Sequence, residues 1–193
     1  MNKAVKISVF FLCLIPLGLL IWQGYNDELG ANPIEEITHR TGSWTLKFIL
    51  ITLTITPLRQ IFGFNKIIRL RRMVGLFAFF YAVLHFLCYF VLDQFFDFSE
   101  ILKDISKRPY ITIGFTSLLM LIPLAVTSTN KMVKRLGKRW KSLHQLIYVV
   151  AVFSIFHYLW LVKADILYPV IYGILLIVLL SIRVWFARMK GKR

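Results

Sequence analysis

Six stretches of the chain are almost entirely apolar, and short polar segments separate them: residues 7–22, 43–62, 73–92, 110–126, 143–162 and 166–187. Each comes close to the roughly 20 apolar residues needed to cross a bilayer core. Backbone groups in lipid must be paired within their own segment, so these runs predict helices. The first run is short and follows Lys3 and Lys6, as a signal peptide would. No small-x-small cleavage site comes after it, which predicts an uncleaved signal anchor. The expectation is an all-α membrane protein, a six-helix transmembrane bundle. No linker, low-complexity tract or internal repeat is visible, and no loop is long enough to fold by itself. The 193 residues therefore read as a single transmembrane domain with its core at about 43–187.

Composition agrees. Hydrophobic residues make up 58% of the chain and charged residues only 17%, against roughly 25% charged in a soluble domain. Mean hydropathy is +0.69. A water-soluble domain, a disordered tail and a collagen-like fibre are excluded. The net charge of +15 would suggest nucleic acid in a soluble protein. Here the basic residues sit in short clusters between apolar runs, where they act as orientation signals and contacts to anionic lipid. The N-terminus, residues 59–72, residues 127–141 and the tail from Arg183 hold 2, 5, 6 and 5 of them. The other side holds Arg40, Lys103, Lys107, Arg108 and Lys163, and Lys47 lies inside the second run. Both termini should therefore be cytoplasmic. Cys13 and Cys88 lie inside apolar runs, in no metal or redox motif.

Ionisable residues at membrane depth are functional candidates. His85 lies in the third run and His157 in the fifth, each deep, with no acid or base beside it in its run. Either one alone is equally well explained by a hydrogen bond across helices. Two on separate spans, with no proton-relay partner, favour a shared ligand. His144 opens the fifth run near the cytoplasmic interface, where an imidazole can simply be solvated. His39 precedes the second run and reads as a cap or loop residue.

Zinc or copper would require further Cys, His or carboxylate ligands, whereas haem iron brings four porphyrin nitrogens and needs only one or two axial side chains. Haem is thus favoured. Measured from the cytoplasmic charges, His85 and His157 differ in depth by only ~5 Å, so they can bracket one haem in the outer half. His144 lies ~20 Å nearer the cytoplasm, where a second haem would shorten the electron path. Thirteen residues turn a helix by ~220°, so a second haem on the same wall needs a kink, a π-bulge or a non-helical start near His144.

Several strings recur in one order: His39-Arg40-Thr41-Gly42-Ser43-Trp44; Thr54-Ile55-Thr56-Pro57-Leu58-Arg59; Leu70-Arg71-Arg72-Met73-Val74-Gly75-Leu76; Phe80-Tyr81-Ala82-Val83-Leu84-His85; Lys107-Arg108-Pro109-Tyr110-Ile111; Leu124-Ala125-Val126-Thr127-Ser128; and Arg139-Trp140-Lys141-Ser142-Leu143-His144. Together they resemble the MsrQ (YedZ) family of haem-binding membrane subunits, within the ferric reductase-like transmembrane superfamily. The resemblance covers about residues 32–188. It implies one or two b-type haems in a bacterial inner-membrane protein, with His85, His157 and His144 as the haem-iron ligands. Larger relatives carry a second histidine 13 or 14 residues before the one corresponding to His85. Here those positions are Arg72 and Arg71, and Arg71 is a candidate for a haem propionate. The resemblance further implies electrons drawn from the quinone pool or a flavin donor, with FMN as a further cofactor and a cytosolic flavin reductase as a candidate partner. The electrons would pass to a periplasmic molybdopterin-containing (MsrP-like) methionine-sulfoxide reductase that repairs oxidised proteins.

The chain has only 10 glycines and no GxGxxG motif after a strand-like run, so no nucleotide domain is expected. No residue cluster offers a sulfoxide-reducing site, so the chemistry belongs to a partner. The alternatives are a stand-alone haem-containing ferric or quinone reductase and, in a different class, a non-redox transporter. Transport predicts broken helices and paired repeats at the midplane; Pro16, Pro57, Pro123 and Pro169 lie within the runs and Pro109 just before one, and no half of the chain repeats the other.

Overall fold

The computed structural model describes residues 2–162 and 165–191. Lys163, Lys192 and Arg193, which entered the charge tally, lie outside the described residues. Among the described residues there is no strand. The helices in chain order are α1 (Lys3–Tyr25), α2 (Pro33–Phe62), α3 (Arg71–Leu87), α4 (Phe98–Lys107), α5 (Pro109–Val126), α6 (Asn130–Leu136), α7 (Lys138–Leu143), α8 (Leu146–Leu161) and α9 (Leu167–Gly191). A 3₁₀ segment, Asn65–Leu70, leads into α3, and a π-helical segment, Cys88–Asp93, ends it. Six helical segments are long and apolar enough to cross a membrane. An even number of crossings returns α9 to the end of the bundle at which α1 begins.

Two boundaries differ from the expectation. α2 starts ten residues before the apolar run. Pro33 occupies its first turn, the Asn32 side chain accepts the Glu35 N–H, and Glu35 and Glu36 lie in the first turn. A proline, a capping asparagine and early acids all favour a helix N-terminus. Hydropathy alone missed this polar turn because it projects past the apolar zone. His39 is therefore an exposed residue within α2, not a cap or loop residue. The connection between the third and fourth spans also contains a helix, α4. Asp97 caps it, accepting from the N–H groups of Ser99 and Glu100.

The bundle is built from two hairpin-like pairs, α2 with α3 and α5 with α8. α9 packs against α2 and α8, and α1 against α2 and α3. Leu46, Ile49, Leu53, Tyr81, Val150 and Ala151 are buried where the helices meet. Phe48 stacks on Tyr81 with ring centres 5.2 Å apart. The Tyr81 hydroxyl accepts the Leu17 N–H at 3.1 Å and donates to the Cys13 carbonyl at 2.9 Å. Those two backbone groups would bond directly in a regular helix. Tyr81 thus splices into the α1 ladder beside Pro16 and ties the first span to the core. Phe11, Ile21, Trp22, Ile177 and Trp185 are exposed, as lipid-facing side chains of the outermost spans should be.

Charge is divided between the two ends. All nine carboxylates (Asp27, Glu28, Glu35, Glu36, Asp93, Asp97, Glu100, Asp104 and Asp165) belong to the end where α2 and α5 begin. The opposite, basic end has none. Lys47, in the middle of α2, lies over the Trp44 ring with its Nζ 4.5 Å from the ring centre.

Candidate functional site

His85 and His157 project from α3 and α8 toward each other, with ring centres 6.1 Å apart and planes at 76°. Their surroundings are nearly the same. His85 Nδ1 lies 2.9 Å from the Thr38 carbonyl, and His157 Nδ1 lies 2.7 Å from the Tyr110 carbonyl. A carbonyl can only accept, so Nδ1 carries the hydrogen in both rings and Nε2 is left with its lone pair. Each carbonyl belongs to a helical turn that closes on a glycine. A Cβ on Gly42 would come within 3.0 Å of the His85 ring, and one on Gly114 within 2.7 Å of His157. Only a turn lacking that methyl lets an imidazole lie close enough to share the carbonyl.

These spacings expose a correspondence that the apolar pattern concealed. Both hydrogen bonds span 47 residues. Thr38, Gly42 and His85 stand in the same register as Tyr110, Gly114 and His157, and that register relates the α2–α3 pair to the α5–α8 pair. The correspondence is one of spacing and geometry between the two helix pairs, not a repeat of sequence. Gly42 and Gly114 are the residues that composition could not single out. Their signal was a glycine 43 positions before each deep histidine.

The same register sets Arg72 opposite His144, so the basic end is not symmetrical. His144 lies in a two-residue break between α7 and α8, which supplies the non-helical start that the sequence reading required. Its ring stacks on Trp140 at 3.9 Å between centres, and its Nε2 lies 3.0 Å from the Thr127 hydroxyl. That hydroxyl already donates to the Pro123 carbonyl at 2.6 Å, so it accepts from His144 and the hydrogen is on Nε2. Trp140 Nε1 donates to the Thr127 carbonyl at 2.9 Å. Thr127 therefore fastens both rings, and the His144 lone pair is on Nδ1, the reverse of the other two histidines. Arg71 opens α3 at this end, and neighbouring Arg72 donates to Asn130.

The His85–His157 pair can do something that the other polar clusters cannot. It presents two neutral nitrogen donors toward one space. No group of three or more His, Cys, Asp or Glu side chains suited to a metal occurs among the described residues, so a zinc or copper ion would lack ligands here. A metal carrying its own equatorial nitrogens would not.

A family model described as the ferric reductase like transmembrane component matches residues 41–155. Curated relatives include the protein-methionine-sulfoxide reductase heme-binding subunit MsrQ of Herminiimonas arsenicoxydans, 54% identical over 192 residues, covering 98% of this chain and 88% of that protein. The protein of the same name from Xanthomonas euvesicatoria pv. vesicatoria is 50% identical, covering 94% of this chain and 86% of that protein. The one from Ralstonia nicotianae is 48% identical, covering 95% and 86%. No solved structure matches.

Proposed function

The chain belongs to the ferric reductase-like transmembrane family, and within it to the MsrQ haem-binding subunits of protein-methionine-sulfoxide reductase; from that premise we propose that it conducts electrons across a bacterial inner membrane through haem b held by His85 and His157. The observation that carries this reading is the paired imidazoles. His85 and His157 would hold a haem iron only if their rings come close enough to offer nitrogens to one metal. The separation here is 6.1 Å. An edge-to-face contact between rings would also suit that distance. The hydrogen bonding favours ligation, because both rings spend Nδ1–H on a carbonyl and keep Nε2 free, as metal-ligating histidines do.

Bound haem would supply a one-electron ferric/ferrous couple. The protein's own residues do the rest. Thr38 and Tyr110 fix the tautomer and orientation of the two rings, and their carbonyls make the imidazoles more basic. Gly42 and Gly114 admit the rings to those turns. The Tyr110 ring lies 6.3 Å from the His157 ring between centres. Thr38 and Tyr110 both lie near the helix ends that start at the acidic face, so electrons leaving this pair have a short path to a partner there.

The partner in this proposal is a periplasmic, molybdopterin-containing methionine-sulfoxide reductase, and the basic end faces the cytoplasm. Quinol or a flavin donor, with FMN or a cytosolic flavin reductase, supplies the electrons at that end. A second haem near His144, with Arg71 on a propionate, belongs to the same proposal. It requires the His144 ring to release Thr127 or to use Nδ1. Transport is disfavoured because the two helix pairs meet at two facing imidazoles, and the break between α7 and α8 lies away from them, at the basic end.

The test is the absorption spectrum of the full chain purified from haem-replete cells. A Soret band that shifts on dithionite reduction is expected, and His85→Ala or His157→Ala should abolish it while His39→Ala leaves it unchanged. A protein with no Soret band, or deep-histidine variants with full haem, would overturn the assignment. Electron delivery to co-purified periplasmic proteins separates a subunit from a stand-alone reductase.

A further inference from the structure

Arg183 lies sixteen residues into α9, in the half of the bundle that contains no carboxylate. Its Nη1 donates to the Tyr148 hydroxyl and its Nη2 to the Leu53 carbonyl, both at 2.6 Å. The guanidinium also lies 5.3 Å from the centre of the Tyr148 ring. These contacts tie α9 to α8 and α2, but they are all to neutral groups. Arg183 Nε is buried and has no acceptor. Two further buried polar atoms without partners, Thr56 Oγ1 and Gln60 Oε1, are on α2 one and two turns beyond Leu53 toward the basic end.

This arrangement is costly as it stands. A cation inside a membrane-spanning helix is normally paired or opens onto a polar cavity, and a buried polar group without a partner costs about as much as a lost hydrogen bond. Elsewhere the chain does pair its charges: Arg40 with Glu36, Lys103 with Glu100 and Arg108 with Asp104. All three pairs are at the acidic end. Among the described residues no anion is paired with Arg183 at the basic end, so the arrangement calls for a counter-charge from another molecule.

We propose that Arg183, with Thr56 and Gln60, forms an anion-binding site in the α2–α8–α9 seam for the phosphate or carboxylate of an amphiphile whose apolar part lies in the membrane. A side-on guanidinium edge that includes Nε suits two oxygens of a phosphate or carboxylate. The Thr56 hydroxyl and the Gln60 amide can bond polar atoms next to the anion. Tyr148 and Leu53 hold the guanidinium in place without neutralising it. Three sources share this chemistry: a phospholipid headgroup, a flavin phosphate and a porphyrin propionate. The flavin and porphyrin sources rest on the cofactors proposed above for this end, whereas the site itself does not depend on the His85–His157 pair, which lies toward the opposite end of the bundle.

The experiment uses the full chain in nanodiscs of phosphatidylcholine, with or without phosphatidylglycerol, alongside Arg183→Gln, Tyr148→Phe and a control at the acidic end, Lys103→Gln. Native mass spectrometry counts retained phospholipid, acid-released flavin fluorescence counts FMN, and a pyridine haemochrome assay counts haem. Wild type and Lys103→Gln should retain one anionic molecule per chain. Arg183→Gln should weaken its retention about ten- to a hundred-fold, the loss expected for one charge-assisted contact. Tyr148→Phe frees the guanidinium without removing it and should weaken retention less. The molecule that disappears identifies the source. Equal retention in wild type and a folded Arg183→Gln protein would overturn the site. If Arg183→Gln does not fold, unchanged retention in Tyr148→Phe overturns it.

Discussion

Gly114→Ala is a one-methyl test of how His157 is held. The added Cβ would lie 2.7 Å from Nδ1 and 2.8 Å from Cε1 of the ring. Ordinary contact is near 3.5 Å, so the ring must retreat by about 0.8 Å. That movement stretches the 2.7 Å bond to the Tyr110 carbonyl beyond useful hydrogen-bond length. Overpacking costs about 1–3 kcal/mol and the lost bond about 1 kcal/mol, while alanine returns about 1 kcal/mol of helix propensity. Destabilisation should therefore prevail, by about 1–3 kcal/mol. Losing the contact that orients a metal ligand weakens metal binding by roughly ten- to a hundred-fold, so haem content should fall further than stability alone implies. Gly42→Ala, at 3.0 Å from His85, should have a smaller effect on both measures. The assay is haem per chain and the dithionite-reduced spectrum, together with a thermal melt in detergent. A Gly114→Ala protein with full haem, an unchanged spectrum and a raised melting temperature would refute the argument, because the ring could then not be resting on that turn.

Other outcomes follow from single contacts. Tyr81→Phe removes the hydroxyl spliced between Leu17 and Cys13 and should lower stability by about 1–2 kcal/mol; an unchanged melt would mean that α1 is not fastened there. Thr127→Val removes the acceptor for His144 Nε2, so nitrogen chemical shifts of that ring should move while those of His85 and His157 stay; if none moves, the assigned tautomer is wrong. Under the proposed assignment of haem to His85 and His157, His144→Ala should leave that haem intact, and any fall in stoichiometry would measure a second haem directly. The Asp97 carboxylate is held below the usual carboxylate range, chiefly by the Ser99 hydroxyl and then by the Glu100 and Ser99 N–H groups. A lowered value means that the cap stabilises α4 at neutral pH and is lost as pH falls below the ordinary carboxylate range near 3.9. Hydrogen-exchange protection of α4 should drop on acidification in wild type but not in Asp97→Asn; equal behaviour would remove Asp97 as the cause.

The membrane class, the number of spans and the two deep histidines were legible in the sequence because lipid penalises polar backbone and ionisable side chains far more severely than water does. That penalty is local, so it marks single residues and continuous runs. It also explains the misjudged start of α2, where a helix held by Asn32 and Pro33 extends beyond the apolar zone. Tertiary structure decided what depends on separate segments meeting. It brought His85 to the Thr38–Gly42 turn and His157 to the Tyr110–Gly114 turn, and it turned His144 the other way against Thr127. It also left Arg183 beside neutral partners only. A glycine is informative only when something lies against it, and a tautomer only when its hydrogen-bond partner is known. Neither can be read along a single helix, because the groups that determine them come from the helix packed alongside.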